Sequence, residues 1–250
     1  MASTLELDNI LASKRYVNEG SKIQFMHPGD IINPFLDTLN FDPAADVLEV
    51  KTSGEVVNEN EDGSKNIAYP RFLLSVNKGH SFSDYDNTFG VIVAMNLGQP
   101  IMKVYSGQEA KACTNLCIWN ASDVFQQSLN SDINFSIQTV KQFFERKEEQ
   151  IEEYRQVHQH LVDTYWNRNQ LFSKLGELLV RSHKSKLGTG PIVGASRHLQ
   201  DVKSRYYAMD KEETSLYNVY NAITQAITDG GDLVGKPHKT LVVGELLGLN

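Results

Sequence analysis

The stretch IQTVKQFFERKEEQIEEYRQVHQHLVDTYWNRNQLFSKLGELLVRSH, residues 137–183, decides how this chain is divided. Steps of three and four residues pick out Ile137, Val140, Phe144, Lys147, Ile151, Tyr154, His158, Leu161, Tyr165, Arg168, Phe172, Leu175 and Leu179. Ten of these thirteen are apolar and no proline interrupts them, while Gly176 lies off the seam. That period predicts one long amphipathic helix from about 137 to 183, or two helices end to end. The remaining faces are rich in Glu, Lys, Arg and Gln, as solvated faces are.

Upstream the period is two. Val47, Glu49 and Lys51 alternate with Leu48, Val50 and Thr52, and extended character resumes over Ile67–Val76. Asp62-Gly63 between them is a hairpin signal. Phe89–Asn96 and Ile101–Tyr105, joined through Leu97-Gly98-Gln99-Pro100, predict a second hairpin, and Ala110–Trp119 fits a further strand. The reading is an antiparallel meander of four or five strands over about 46–119. Before it, residues 1–27 read as a polar lead-in with a short strand at 23–26. A short helix follows from Ile31 toward Leu39, capped by Asp30, with Pro34 in its first turn. After the meander a short helix is expected over Val124–Leu129. Beyond 183, Leu187–Gly194 reads as a loop, helices are expected at about 196–209 and 212–228, and Lys239–Asn250 is a strand or a short docking helix. The fold class is therefore α+β: a β-rich region over 1–130 and a helical region over 131–250, integrated into one domain.

Composition excludes several classes. At 250 residues, 40% hydrophobic and 22% charged, the chain can bury an ordinary core and is not disordered. No apolar run approaches the ~20 residues of a membrane span. The first residues carry no basic, apolar secretory signal, and two cysteines suit a reducing compartment, so a soluble cytoplasmic protein is expected. The net charge of −7 is uneven: residues 1–130 hold 9 Lys and Arg against 16 Asp and Glu. Residues 181–205 instead carry Arg181, Lys184, Lys186, Arg197, Lys203 and Arg205 against Asp201 alone.

Candidate chemistry is sparse. Cys113 and Cys117, four apart, lack the second pair or nearby histidines of a zinc site and read as core thiols. His158 and His160 point to different faces of a helix and cannot chelate one metal locally. Glu148, Glu149, Glu152 and Glu153 lack the Glu-x-x-His pattern of a carboxylate di-metal site and read as a solvated face. Gly188–Gly194 lacks the Lys-Ser/Thr ending of a phosphate loop. Asn120-Ala121-Ser122 and Asn134-Phe135-Ser136 match glycosylation sequons, which carry no meaning without secretion. No catalytic residue, metal set or cofactor emerges, and a non-enzymatic role is expected. The basic segment 181–205, followed by Tyr206-Tyr207, is the one functional candidate: cations beside aromatic rings suit single-stranded nucleic acid, with Tyr206 available for stacking. A helix of about 45 residues would be near 65 Å long, so part of its seam is expected to meet another copy through Ile151, Tyr154, Leu161, Tyr165 and Phe172.

Two stretches carry a resemblance. Val104–Gly107 through Ala112-Cys113-Thr114-Asn115-Leu116, and Leu216–Ile227 with its Asn221-Ala222-Ile223-Thr224 core, resemble a phage/plasmid-like protein family of unknown function over about half the chain. Leu116 stands where that family has a glycine. A β-meander followed by a long helix is also similar in outline to phage single-strand annealing proteins. The resemblance implies a mobile-element origin, with the host cytoplasm or a virion as location. The function expected is a non-enzymatic, assembly-forming protein that binds single-stranded nucleic acid through 181–205. The alternative is a virion component or an inhibitor of a host system acting through protein contacts.

Overall fold

The computed structural model describes residues 29–59, 65–82, 85–94, 101–110, 115–118, 123–128, 133–145, 151–231 and 235–249. Among these residues the chain is α+β, with a six-stranded sheet and seven helices. The strands β1 (Val47–Glu59), β2 (Lys65–Phe82), β3 (Tyr85–Ala94), β4 (Ile101–Ala110) and β5 (Asn115–Cys117) follow one another across the sheet in chain order, as the meander reading expects. A sixth strand, β6 (Val124–Ser128), also pairs with β4. It replaces the short helix expected there: Val124 and Phe125 have strand propensity, and β4 offers a free ladder. The expected turns at Asp62-Gly63 and 97–100 lie outside the described residues, as do the lead-in strand at 23–26 and the sequon Asn120-Ala121-Ser122, whereas Asn134-Phe135-Ser136 falls in the helix Ile133–Glu145. The β1–β2 ladder nonetheless brackets the first turn, running antiparallel from Val47↔Asn77 to Glu59↔Lys65. The strand expected over 110–119 is described only at 115–117.

Two compact units emerge, each assembled from separated segments: residues 1–79, 87–106 and 125–148 form one, and 80–86, 107–124 and 149–250 the other. In the first, α1 (Gly29–Thr38) sets Ile31, Ile32, Phe35 and Leu39 at helical spacing into the core. Pro34 sits well inside this helix rather than in its first turn, because the helix begins at Gly29. Alternate strand residues Phe72, Leu74, Val76, Val91, Val93, Met102 and Val104 supply the sheet side of that core. The helix α2 (Ile133–Glu145) adds Val140 and Phe144, whose ring stands edge-on to Phe35 at 5.8 Å and to Phe89 at 5.0 Å. Burying one such aromatic side chain is worth roughly 1.5–3 kcal/mol.

The second unit corrects the long-helix expectation. The helix α3 (Ile151–Asp163) stops, three residues run extended as β7 (Tyr165–Asn167), and α4 (Arg168–His183) begins anew. The cause is local. Asn167 accepts from the Gln170 amide while Gln170 Oε1 accepts from the Asn167 amide, a complete capping box that starts a helix at 168. Tyr165 and Trp166, with strong β-propensity, pair with β8 (Glu213–Ser215) through Tyr165↔Ser215 and Trp166↔Thr214. The Leu216 amide donates to Thr164 O at 2.7 Å, and Ser215 caps the next helix, so this small ribbon launches two helices at once.

Three further helices complete the unit: α5 (Gly190–Gln200), α6 (Leu216–Asp229) and α7 (Lys236–Leu247). The expected loop 187–194 is thus half helix, since Pro191 occupies the first turn, where its missing N–H is no loss. The segment 201–212, expected to be mostly helical, is turns. The helix α6 is buried on nearly every side, through Leu216, Val219, Tyr220, Ala222, Ile223 and Ile227. It packs against α3, α5, α7 and β5, as a helix apolar all round must. Its closest neighbour is α5, because Gly194 has no side chain: a Cβ there would lie 2.7 Å from Ala226 Cβ.

Candidate nucleic-acid interface

Cys117 is fully buried on β5, and no side chain of the pair Cys113–Cys117 beyond it is described. The phenols of Tyr85 and Tyr220 share its surroundings. Burial pushes the pKa of both well above the ordinary value, and the Cys117 thiol adds to the effect. His158 stands edge-on to Tyr85 at 5.1 Å and to Tyr217 at 5.5 Å, in the packing of a core histidine. Tyr154 donates its hydroxyl to Asp123 at 2.9 Å, and both residues are buried. Cys117, Tyr85, Tyr220, Tyr154 and Asp123 are buried internal ties of the fold, and His158 is partly buried beside them. Among the described residues no cluster of three His, Cys, Asp or Glu side chains is placed to hold a metal. Glu152 and Glu153 are exposed, and Glu152 meets Arg155 at 3.3 Å; Glu148 and Glu149 lie outside the described residues.

The basic segment lies in the second unit and runs from the end of α4, through 184–189, along α5 and into 201–206. Arg181, Lys184, Lys186, Arg197, Lys203 and Arg205 are all exposed. They are not equivalent. Arg181 Nη1 donates to Leu246 O at 2.8 Å, at the C-terminal end of α7, where a cation completes the helix dipole. Arg205 is engaged elsewhere. Lys184, Lys186, Arg197 and Lys203 form no ion pair among the described residues. Along α5 the buried stripe is Ile192, Ala195 and Leu199. Helical spacing then sets Gly190, Val193, Arg197 and Gln200 on the outer stripe, which carries no carboxylate. Two acids beside the segment are engaged: Asp201 Oδ1 accepts the Lys203 amide at 2.9 Å, and Asp229 Oδ2 lies 3.0 Å from His198 Nε2.

Tyr206 does not fit the role expected of it. It is 6% exposed, its carbonyl accepts from Asn218 Nδ2 at 2.8 Å, and its ring stands edge-on to His198. No face of it is open to a base. Tyr207 has its hydroxyl on Asp210, a bond that raises its pKa above the ordinary value. The expected oligomer seam is also divided. Tyr154 and Leu161 are wholly buried in their own chain's core, so neither can meet another copy. The side chain of Ile151 is not described. Tyr165 and Phe172 are 54% and 43% exposed.

Sequence reasoning missed what lies beside Phe172. The buried stripe of α4 is Leu171, Leu175, Leu178 and Ser182, so Phe172, Gly176, Leu179 and His183 form an outward stripe, with Val180 alongside. Comparison with known proteins adds nothing to this picture: no family model matches the chain, and no curated protein or solved structure is similar to it.

Proposed function

We propose that this chain is a non-enzymatic accessory protein, of the phage or plasmid type that its sequence resembles, which holds a nucleic-acid strand by its phosphates. The observation that carries the reading is the set of four exposed cations, Lys184, Lys186, Arg197 and Lys203, that form no ion pair among the described residues and are disposed at both ends of α5 and along it. A cation already paired to a carboxylate gains little by exchanging it for a phosphate. An unpaired one releases a counterion from the polyanion, and that release drives sequence-independent binding.

Geometry and long-range charge support the same reading. The helix α5 spans about 16 Å at 1.5 Å per residue. A strand crossing it carries one phosphate per roughly 3.4 Å when base-paired, fewer when extended, so several can be reached at once. The chain as a whole is negative, −7, and repels a polyanion everywhere except within a Debye length, about 8–10 Å, of this segment. The test is retention of a fluorescent oligonucleotide at low and moderate salt, with Lys186→Glu and Arg197→Glu as controls. Binding that disappears in both variants is expected; binding indifferent to them refutes the reading.

A second reading, assembly through protein contacts as in a virion component or an inhibitor, draws on the exposed Tyr165, Phe172, Leu179 and Val180. Light scattering separates it: a mass of 28.1 kDa at tens of micromolar protein is that of one chain alone and excludes self-assembly.

A further inference from the structure

Among the described residues, nothing covers the outward stripe of α4. Phe172, Leu179 and Val180 are 43%, 37% and 63% exposed, and Tyr165, just before the helix, is 54% exposed. Neither ring enters an aromatic pair among the described residues. Between Phe172 and Val180, one turn from each, lies Gly176. A Cβ at that position would meet nothing within 4 Å, so no intrachain contact requires glycine there. Glycine in the middle of a helix is unfavourable relative to alanine. Its effect is a flat notch over bare backbone, bounded by a phenyl ring on one side and aliphatic side chains on the other. The stripe then continues through His183 directly into Lys184 and Lys186, the first two of the unpaired cations. Glu177, next to Gly176 in sequence, is paired with Lys174 at 2.9 Å.

We propose that this stripe is the base-stacking platform of the nucleic-acid site, with Phe172 and Tyr165 taking the role that the buried Tyr206 cannot, and Gly176 leaving room for a base to lie flat against the helix. The inference rests on the phosphate-binding reading above and deepens it: bases reach these rings only when they are splayed out of a duplex, so the ligand is single-stranded. The area favours this occupant over a second copy of the chain. A wholly covered aromatic residue contributes roughly 150–250 Å². Four partly exposed side chains therefore offer on the order of 400 Å², about half the ~800 Å² per partner of a stable interface. One base needs only one ring face. Apolar surface next to unpaired cations is also what a polyanion with π-faces requires, whereas a copy of this chain would bring the same cations to face themselves.

The experiment compares an oligothymidylate of about 20 nucleotides, longer than the roughly 4–16 that such sites occupy, with an abasic backbone of equal length. Oligothymidylate should bind at least about fivefold more tightly than the abasic strand, as stacking of one or more bases requires. Phe172→Ala should weaken oligothymidylate by about 5- to 150-fold, the fold-change of one lost stacked base, and leave the abasic strand unchanged. Gly176→Ala should raise the melting temperature, since its methyl meets open space, and still weaken oligothymidylate, so a loss there cannot be misfolding. Equal affinity for the two strands, both salt-sensitive, overturns the platform and leaves the phosphate reading standing. Failure of both strands to bind overturns both. An oligomer that Phe172→Asp dissolves while oligothymidylate binding persists assigns the stripe to a second copy and overturns it as well.

Discussion

Removing the unpaired lysines should change not only how tightly a strand binds but how steeply that affinity depends on salt. Lys184, Lys186, Arg197 and Lys203, unpaired among the described residues, neutralise at most four phosphates. For a single strand the slope of log affinity against log salt is about −0.7 per phosphate, so about −2.8 for four. Raising monovalent salt fourfold, from about 50 to 200 mM, then weakens binding by about 50-fold. Lys184→Ala with Lys186→Ala halves the count, and the same salt step should cost only about sevenfold. Arg181→Ala is the internal control: that guanidinium is held by Leu246 O, so its removal should loosen the end of α7 and barely alter the slope. Fluorescence anisotropy at four or five salt concentrations measures all three proteins. A wild-type slope shallower than about −1, or one that the double variant leaves unchanged, refutes the assignment of these cations to phosphates.

Three other outcomes follow from the second unit's interior. Leu161→Ala should destabilise by about 2–5 kcal/mol in denaturant titration with no change in oligomeric mass, because Leu161 is fully buried in its own core. Asn167→Ala should cost about 0.5–2 kcal/mol by removing the capping box, and amide exchange in the first turn of α4 should accelerate. Tyr85 and Tyr220 have folded pKa values above the ordinary 10.0, chiefly through burial. With a raised folded pKa, their contribution is complete below the unfolded value and is lost as pH climbs above it. Stability should thus fall by about 1.4 kcal/mol per pH unit for each phenol above pH ~10, and Tyr85→Phe with Tyr220→Phe should flatten that limb.

What was legible in the sequence was what repeats. Period-two alternation from Val47 onward identified the meander, and β1 and β2 pair antiparallel up to Glu59↔Lys65, on either side of the polar cluster before Lys65. The apolar period after Ile137 identified helix, but not its interruption. A capping box needs only two residues, Asn167 and Gln170, and a three-residue strand has too few positions to show any period. Both signals lie below the resolution of a pattern read over a dozen residues, although Asn167 three before Gln170 was there to be seen. The strand β6 was missed for a similar reason: five residues with no alternation take their structure from an open ladder on β4, which is tertiary information.

One missed interruption accounts for the misplaced site as well. Carrying a single helical phase from Ile151 through Leu179 places Tyr154, Leu161, Phe172 and Leu179 on one face. The extended residues 165–167 reset that phase. Before the break, Tyr154 and Leu161 do point into the core. Beyond Asn167 Leu175 alone of the seam stays in the core, where Leu171 and Leu178 join it, while Phe172 and Leu179, each one residue past a core position, lie at the surface with Gly176. The capping box thus does more than start a helix. By restarting the period it turns a phenyl ring outward on the helix that leads into Lys184 and Lys186. Asn167→Ala therefore bears on binding as well as stability: a frayed first turn would loosen Phe172, at the fifth position of α4, while leaving the cations past its far end in place. The platform reading then requires this variant to lose affinity for oligothymidylate and to keep its salt slope, and a parallel loss on the abasic strand would show that Asn167 acts on the fold alone.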